Sequence, residues 1–383
     1  MTSGGELFIG MLSGTSRDGV DAVLVRFGDK GTERLSSLCV TYPPDLAEML
    51  RRMIHRRRRP DDNELSLADQ QLAEFFALSA WALLDQAGVS AKSVMAIGSH
   101  GQTVWHHPRG QHPESIQLGN PRRIAELTGI RTVGYFRQAD LVMGGQGAPL
   151  APLVHAALLT PSEGIRAVLN LGGIANISLL NAEGTAVGYD TGPGNCLLDA
   201  WIRKHKGCDY DESGQWAAGG AVDQGLLELL YSDPYFNLRP PKSTGVEYFN
   251  LHWLHERLDE RKPESLSASF RDIQATLSEL TAHSVAMAVK KTTASELLIC
   301  GGGVHNTDLL RRIRRLLPQI RLDTTAVCGI DPDWMEAILF AWLARERLAG
   351  RRHDTRCITG ATEPVLLGEI FEPDRDKPAV SGR

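Results

Sequence analysis

The sequence has no C-x-x-C pair. Its six cysteines, Cys39, Cys196, Cys208, Cys300, Cys328 and Cys357, are scattered through 383 residues, which argues against a thiolate metal site or a disulfide framework and fits a reducing, cytoplasmic compartment. It has no run of about 18 apolar residues, so no membrane-spanning helix is expected. It also lacks a leader pattern: residues 1–6 carry no basic side chain, and the apolar stretch 7–12 is too short for a signal-peptide core. Positive charge is not in excess either. A net charge of -5 excludes broad electrostatic binding to nucleic acid or an anionic membrane, and leaves any phosphate to local amides and a few placed cations. The one basic run, residues 51–60, reads as a solvated helix end closed by Pro60. Metal-binding histidine spacing is missing as well. No two of the 12 histidines are four apart, and no acid lies between His100 and His112.

What is present is an ordinary globular composition, 42% apolar and 23% charged, in a chain too long for one core. Two α/β domains are expected, 1–145 and 146–383, with the last segment packing back on the first. Residues 7–12 form an apolar strand, 13–19 a polar turn and 20–27 a second strand, so the chain opens on a hairpin. Residues 167–180 repeat that plan around Gly172 and Gly173. Residues 65–87 carry a helical stripe of Leu65, Leu67, Leu72, Phe75, Phe76, Leu78, Leu83 and Leu84, expected to face the core. A buried strand at 94–98 then runs into a polar loop with His100, Gln102, Thr103, His106 and His107, where open α/β sheets place ligands. Sugar binding through the ring nitrogens and the Gln102 amide is the reading for that loop.

The strongest single stretch is Val187 to Asn195. Alternation of Val187 and Tyr189 leads a strand to Asp190, and Thr-Gly-Pro-Gly-Asn is expected to end it there. Asn195 would then cap a helix starting at Cys196, giving a carboxylate, free amides and a helix N-terminus in one loop. That suits a general base beside an anion cradle, although an Asp-x-Gly also occurs merely to hydrogen-bond its own turn. Gly301, Gly302 and Gly303 follow another buried strand and allow a base or ribose to lie on the backbone. Arg137, Asp140 and the glycines at 144–147 describe a tight, polar, mobile segment at the domain boundary. Asp333 and Glu336 read as a capping box for the apolar helix at 334–348, which serves either the core or a homodimer; Glu336 either caps or faces a ligand.

With these motifs in hand, the chain resembles the anhydro-N-acetylmuramic acid kinases, of the superfamily that includes sugar kinases, actin and heat-shock chaperone ATPases. The resemblance rests on residues 14–21, 99–106, 144–150, 170–176, 190–195 and 300–303 in that order, with Tyr135 standing where an acid is expected before Phe136 and Arg137. It implies two ribonuclease-H-like domains around a nucleotide and sugar cleft that closes on its ligands. It also implies ATP with Mg²⁺ and hydrolysis of the anhydro bridge coupled to phosphorylation of O6. Asp190 would be the catalytic base. Ser13, Gly14, Thr15, Ser16, Arg17, Asp18, Gly19, Val20, Asp21, Gly172 and Gly173 would hold the phosphates, and Gly301 to Gly303 the nucleoside. Gln102, Thr103, Asn120 and Glu336 are the sugar candidates, and Asp18 is a candidate for the cation or its water. A non-catalytic, nucleotide-gated binding module of the same fold is the alternative.

Overall fold

A computed structural model describes residues 4–14, 19–29, 31–55, 58–108, 110–260 and 269–374. Parts of two expectations, the phosphate tip at 15–18 and residues 56–57 of the basic run, lie outside them. The chain divides into two compact units, Met1–Leu150 with Trp334–Arg383, and Ala151–Asp333.

The first unit opens on β1 (Gly5–Ser13) and β2 (Gly19–Gly28), paired antiparallel as a hairpin with Leu12 opposite Asp21. β3 (Gly31–Thr41) continues the meander. After the helix Asp62–Ala87 comes β4 (Val94–His107), parallel to β1, then β5 (Glu114–Leu118), the helix Pro121–Thr128 and β6 (Thr132–Gly134). In the second unit β7 (Ile165–Leu171), β8 (Ile174–Asn181) and β9 (Ala186–Pro193) form another meander. β10 (Glu296–Cys300) and β11 (Arg321–Thr324) then add in parallel beside β7. The chain returns to the first unit through the helix Met335–Leu348 and β12 (Glu369–Phe371).

The two sheets run β12-β6-β4-β1-β2-β3 and β11-β10-β7-β8-β9. Each is an antiparallel meander with parallel strands added beside its first strand, the ribonuclease-H-like plan. Buried apolar runs explain the central strands: Leu297, Leu298, Ile299 and Cys300 are fully buried in β10. The helix Asp62–Ala87 starts where Asp61 accepts the Glu64 N–H and stops at Gly88 with φ 63. Its stripe is narrower than expected. Leu72, Phe76, Leu83 and Leu84 face the core, whereas Leu67 and Leu78 are 57% and 60% exposed, because they fall off the buried arc at 100° per residue. The helix Met335–Leu348 lies backbone to backbone on the first sheet: a Cβ on Gly10 or Gly98 would come within 1.9 Å of the Ala337 or Phe340 carbonyl. No helix among the described residues is long and apolar enough to cross a membrane.

Candidate active site

Asp190 lies on β9, the edge strand of the second sheet. The strand does not end there. A register shift on β8 between Ala175 and Asn176 lets pairing continue through Gly192 and Pro193, so Asp190 is a strand residue rather than the first turn residue. It is 5% exposed. One carboxylate oxygen, Oδ2, accepts the Thr244 N–H at 2.9 Å, and its backbone carbonyl accepts the Tyr235 hydroxyl at 2.7 Å. Its own N–H donates to the Lys242 carbonyl at 3.2 Å. Across the strand pair stands Asn176, on the same sheet face. The buried Asn176 Oδ1 has no hydrogen-bond partner among the described residues.

The hairpin tip Gly172–Gly173 sits at the same sheet end, and its carbonyls change the expected anion cradle. Gly172 O accepts the Asn195 N–H at 2.9 Å, and Gly173 O accepts those of Gly194 at 2.9 Å and Cys196 at 3.0 Å. Three amides expected to face an anion are therefore used within the protein. Nor does Asn195 cap the helix Cys196–Lys206 with its side chain; its amide donates to Leu171 O at 3.3 Å. Gly301 to Gly303 leave the end of β10 beside this tip. A Cβ on Gly301, whose φ is 81, would meet Asn170 Oδ1 at 2.4 Å, and one on Gly303 would meet Leu171 Cβ at 2.5 Å. Gly302 has nothing within 4 Å. Two glycines thus serve close packing on β7, and the middle one leaves open space beside bare backbone.

In the first unit, Ser13 and Gln102 are register partners of β1 and β4, and the Ser13 hydroxyl donates to Gln102 Oε1 at 2.6 Å. Gly14 follows directly, Gly19 and Asp21 open β2, and Val20 is fully buried. The Val20 side chain therefore belongs to the core and not, as expected, to the phosphate site. Gly19 is required by packing, since a Cβ there would lie 2.2 Å from Val40 O. The Gln102 amide donates to Thr103 O at 3.1 Å, and Thr103 Oγ1 accepts from Gln117 at 3.3 Å. Asn120 is engaged in the fold: its Oδ1 caps the helix Pro121–Thr128, and its Nδ2 donates to Asp69 at 3.1 Å. Burial raises the Asp69 carboxyl above its ordinary range.

Several expectations for neighbouring polar residues change. His100 is buried with Nδ1 on Gly101 O at 3.0 Å and Nε2 on Arg137, so its ring is committed inside the protein rather than to a sugar. Burial and then the Arg137 charge hold it well below the usual histidine range. The same two causes bring His106 to about 3, with Nδ1 on the Ser115 hydroxyl at 2.9 Å. Both rings are neutral at physiological pH. Asp140 is fully buried and accepts from the Gly147 N–H, Thr355 and Thr359 at 2.7, 2.6 and 2.7 Å, while Arg137 donates to Gly147 O at 2.7 Å. The segment expected to be mobile is tied down by these bonds. The capping box does not form: Trp334 holds the N-cap position, and Asp333 accepts from His305 at 2.8 Å. Glu336 is half-buried in the first helical turn.

The segment Pro240–Gly245, expected only to be a loop, supplies both backbone contacts to Asp190. Lys242 within it is 5% exposed, with Nζ donating to Tyr235 O at 3.1 Å and lying 4.4 Å from the centre of the Tyr235 ring. Its signal in the sequence was weak, a single lysine after two prolines.

The family model described as anhydro-N-acetylmuramic acid kinase matches residues 6–373. An anhydro-N-acetylmuramic acid kinase of Coxiella burnetii (strain RSA 493 / Nine Mile phase I) is 43% identical over 372 residues, covering 96% of this chain and 97% of that protein. Another, of Xanthomonas campestris pv. campestris (strain 8004), is 45% identical, covering 95% and 97%. Among solved structures, the Acidaminococcus fermentans (R)-2-hydroxyglutaryl-CoA dehydratase component A is 10% identical with a TM-score of 0.48, covering 90% of this chain and 99% of that one. The chain belongs to the anhydro-N-acetylmuramic acid kinase family.

Proposed function

We propose that this kinase uses ATP and water to convert 1,6-anhydro-N-acetylmuramic acid into N-acetylmuramic acid 6-phosphate and ADP, in recycling of cell-wall sugar. The anhydro sugar has no free 6-hydroxyl, so phosphorylation must be coupled to opening of the bridge. Asp190 takes a proton from water as the water oxygen bonds to C1; the C1–O6 bond breaks, and O6 takes the γ-phosphoryl group. Asn176 Oδ1 stands ready to accept the water's other hydrogen, which would fix the direction of its lone pair. The observation that carries this reading is the Asp190 carboxylate, buried at the edge-strand position and oriented by the Thr244 N–H.

The backbone at Gly302, with the hairpin tip Gly172–Gly173, is assigned to the nucleotide. Ser13, Gly14, Gly19 and Asp21, on either side of residues 15–18 in the chain, are assigned to the phosphates, and Asp18 belongs to that stretch. Among the described residues no three His, Cys, Asp or Glu side chains gather to hold a metal. Mg²⁺ on a nucleotide takes one or two protein oxygens beside the phosphates, and Asp18 is of that donor type. When bound it would draw charge from the phosphates of the leaving ADP. Gln102, Thr103 and Glu336 remain the sugar candidates, with Asn120 holding the loop beneath them.

The test is ADP release with Mg-ATP, with and without the anhydro sugar, in heavy-oxygen water. The expected result is sugar-dependent ADP, heavy oxygen at C1 and phosphate on the sugar. Asp190→Asn should lower kcat by roughly 10²–10⁴-fold while retaining nucleotide binding. ADP release indifferent to the sugar would instead favour a nucleotide-gated binding module.

A further inference from the structure

We propose that the segment Pro240–Gly245 is a strap that aims the Asp190 carboxylate, with Lys242 as the positioning residue that latches it. This inference rests on Asp190 being the base. Asp190 lies on the edge strand of its sheet, whose outer backbone groups pair with no further strand among the described residues. The strap covers that edge at one position: Lys242 O accepts the Asp190 N–H, and two residues on, the Thr244 N–H donates to Oδ2. Backbone and carboxylate are thus set by the same short segment.

Lys242 joins this segment to the helix Pro234–Asn237. Its ammonium donates to Tyr235 O and lies over the Tyr235 ring, while the Tyr235 hydroxyl donates to Asp190 O at 2.7 Å. The path closes on itself: Asp190 to Lys242 by backbone, Lys242 to Tyr235 by the ammonium, Tyr235 to Asp190 by the phenol. This ring of contacts fixes the Asp190 backbone and the strap together, and rotation of the carboxylate breaks the Thr244 N–H bond that the strap supplies. The charge acts in addition to the geometry, because a nearby cation favours the ionised form of a base. The groups facing the ammonium are Tyr189 of β9, with its ring centre 6.0 Å away, Tyr235, Asp190, and Lys291 at the end of the helix Phe270–Lys290. Asp233 nearby is already engaged by Arg257 and Trp253. Burial, then Lys291, brings the Lys242 ammonium down to about 8, against the opposing pull of Asp190.

The test uses the full chain with Lys242→Met, Lys242→Arg, Tyr235→Phe and, as a reference, Asp190→Asn. Lys242→Met should lower kcat on the order of 10–100-fold, the scale of a misplaced catalytic group. Its Kd for ATP should stay within about twofold, since the nucleotide is assigned to Gly302 and the Gly172–Gly173 tip and not to the strap, and the acid limb of its kcat profile should move to higher pH. Wild-type kcat should fall above about pH 8 as the latch loses its proton. Lys242→Arg, which keeps its charge, should restore part of the rate and carry that alkaline fall upward. Tyr235→Phe should lower kcat without moving the alkaline fall. Unchanged kcat and pH limbs in Lys242→Met, with Asp190→Asn inactive, would overturn the strap alone. Activity retained in Asp190→Asn would overturn the base assignment beneath it. Equal losses of kcat, ATP binding and thermal stability in Lys242→Met, unrescued by arginine, would reduce Lys242 to a structural residue and refute the proposal.

Discussion

Lys242→Met should make the protein more stable, although it should make the enzyme slower. An ordinary lysine releases its proton at 10.5, and folded Lys242 does so at about 8, chiefly through burial and secondarily through Lys291. Between these values the unfolded chain binds more protons, so stability rises with pH through that window. Below about pH 8 the cost of the buried ammonium is fully present. At about 1.36 kcal/mol for each tenfold change in acidity, it comes to about 3 kcal/mol at pH 7. Methionine keeps most of the volume and carries no charge. It gives up the bond to Tyr235 O, but that carbonyl still accepts the Leu238 N–H at 3.1 Å, so little is left unsatisfied. The loss of the ammonium over the Tyr235 ring takes back about 1 kcal/mol, leaving a gain of about 2 kcal/mol. For a unit the size of Ala151–Asp333 this raises the thermal transition by roughly 4–8 °C. Calorimetry of wild type and variant from pH 7 to pH 10.5 reads the effect. The difference should be largest at pH 7 and diminish as pH rises past about 8. A variant less stable than wild type at pH 7, or a difference independent of pH, would refute the reasoning.

Glycine substitutions separate packing from ligand contact. Gly301→Ala, forced to φ 81 and against Asn170, should destabilise the second unit by about 2 kcal/mol. Gly302→Ala meets no atom within 4 Å and should change stability by less than about 0.5 kcal/mol, yet raise the KM for ATP, as steady-state kinetics would show. Asp140→Asn replaces a carboxylate that accepts from an amide and two hydroxyls. It should cost the first unit about 2–4 kcal/mol in denaturant unfolding, without a selective effect on kcat.

Legibility in the sequence followed the range of the interaction. Both opening hairpins and the buried strand into Gly301 were readable, because alternation and glycine turns are local signals. The end of β9 was misread: Gly192 and Pro193 look like breakers, but the shift opposite Asn176 accommodates them, and a partner strand's register is not written in one strand's residues. The amides of Gly194 to Cys196 looked available for the same reason, since their acceptors lie some 20 residues earlier. Asp333 had an ideal capping pattern, yet His305, distant in sequence, claims its carboxylate. Lys242 was invisible because its meaning depends on a fold that brings it to Asp190. At Tyr135, where the motif calls for an acid, φ is 53. Asp and Asn tolerate that left-handed conformation better than most residues, so local backbone shape is one reason for an acid there.

The helix Met335–Leu348 rests on Gly10 of β1 and Gly98 of β4, which lie more than 200 residues before it in the chain. On a ribosome, the first-made strands therefore emerge long before the helix that covers them. Their apolar face must wait, uncovered, while the whole of Ala151–Asp333 is synthesised and folds. The amino-terminal half of this protein is thus completed last, and a message cut short near its end would yield not a shortened enzyme but an unfinished first unit with an exposed sheet.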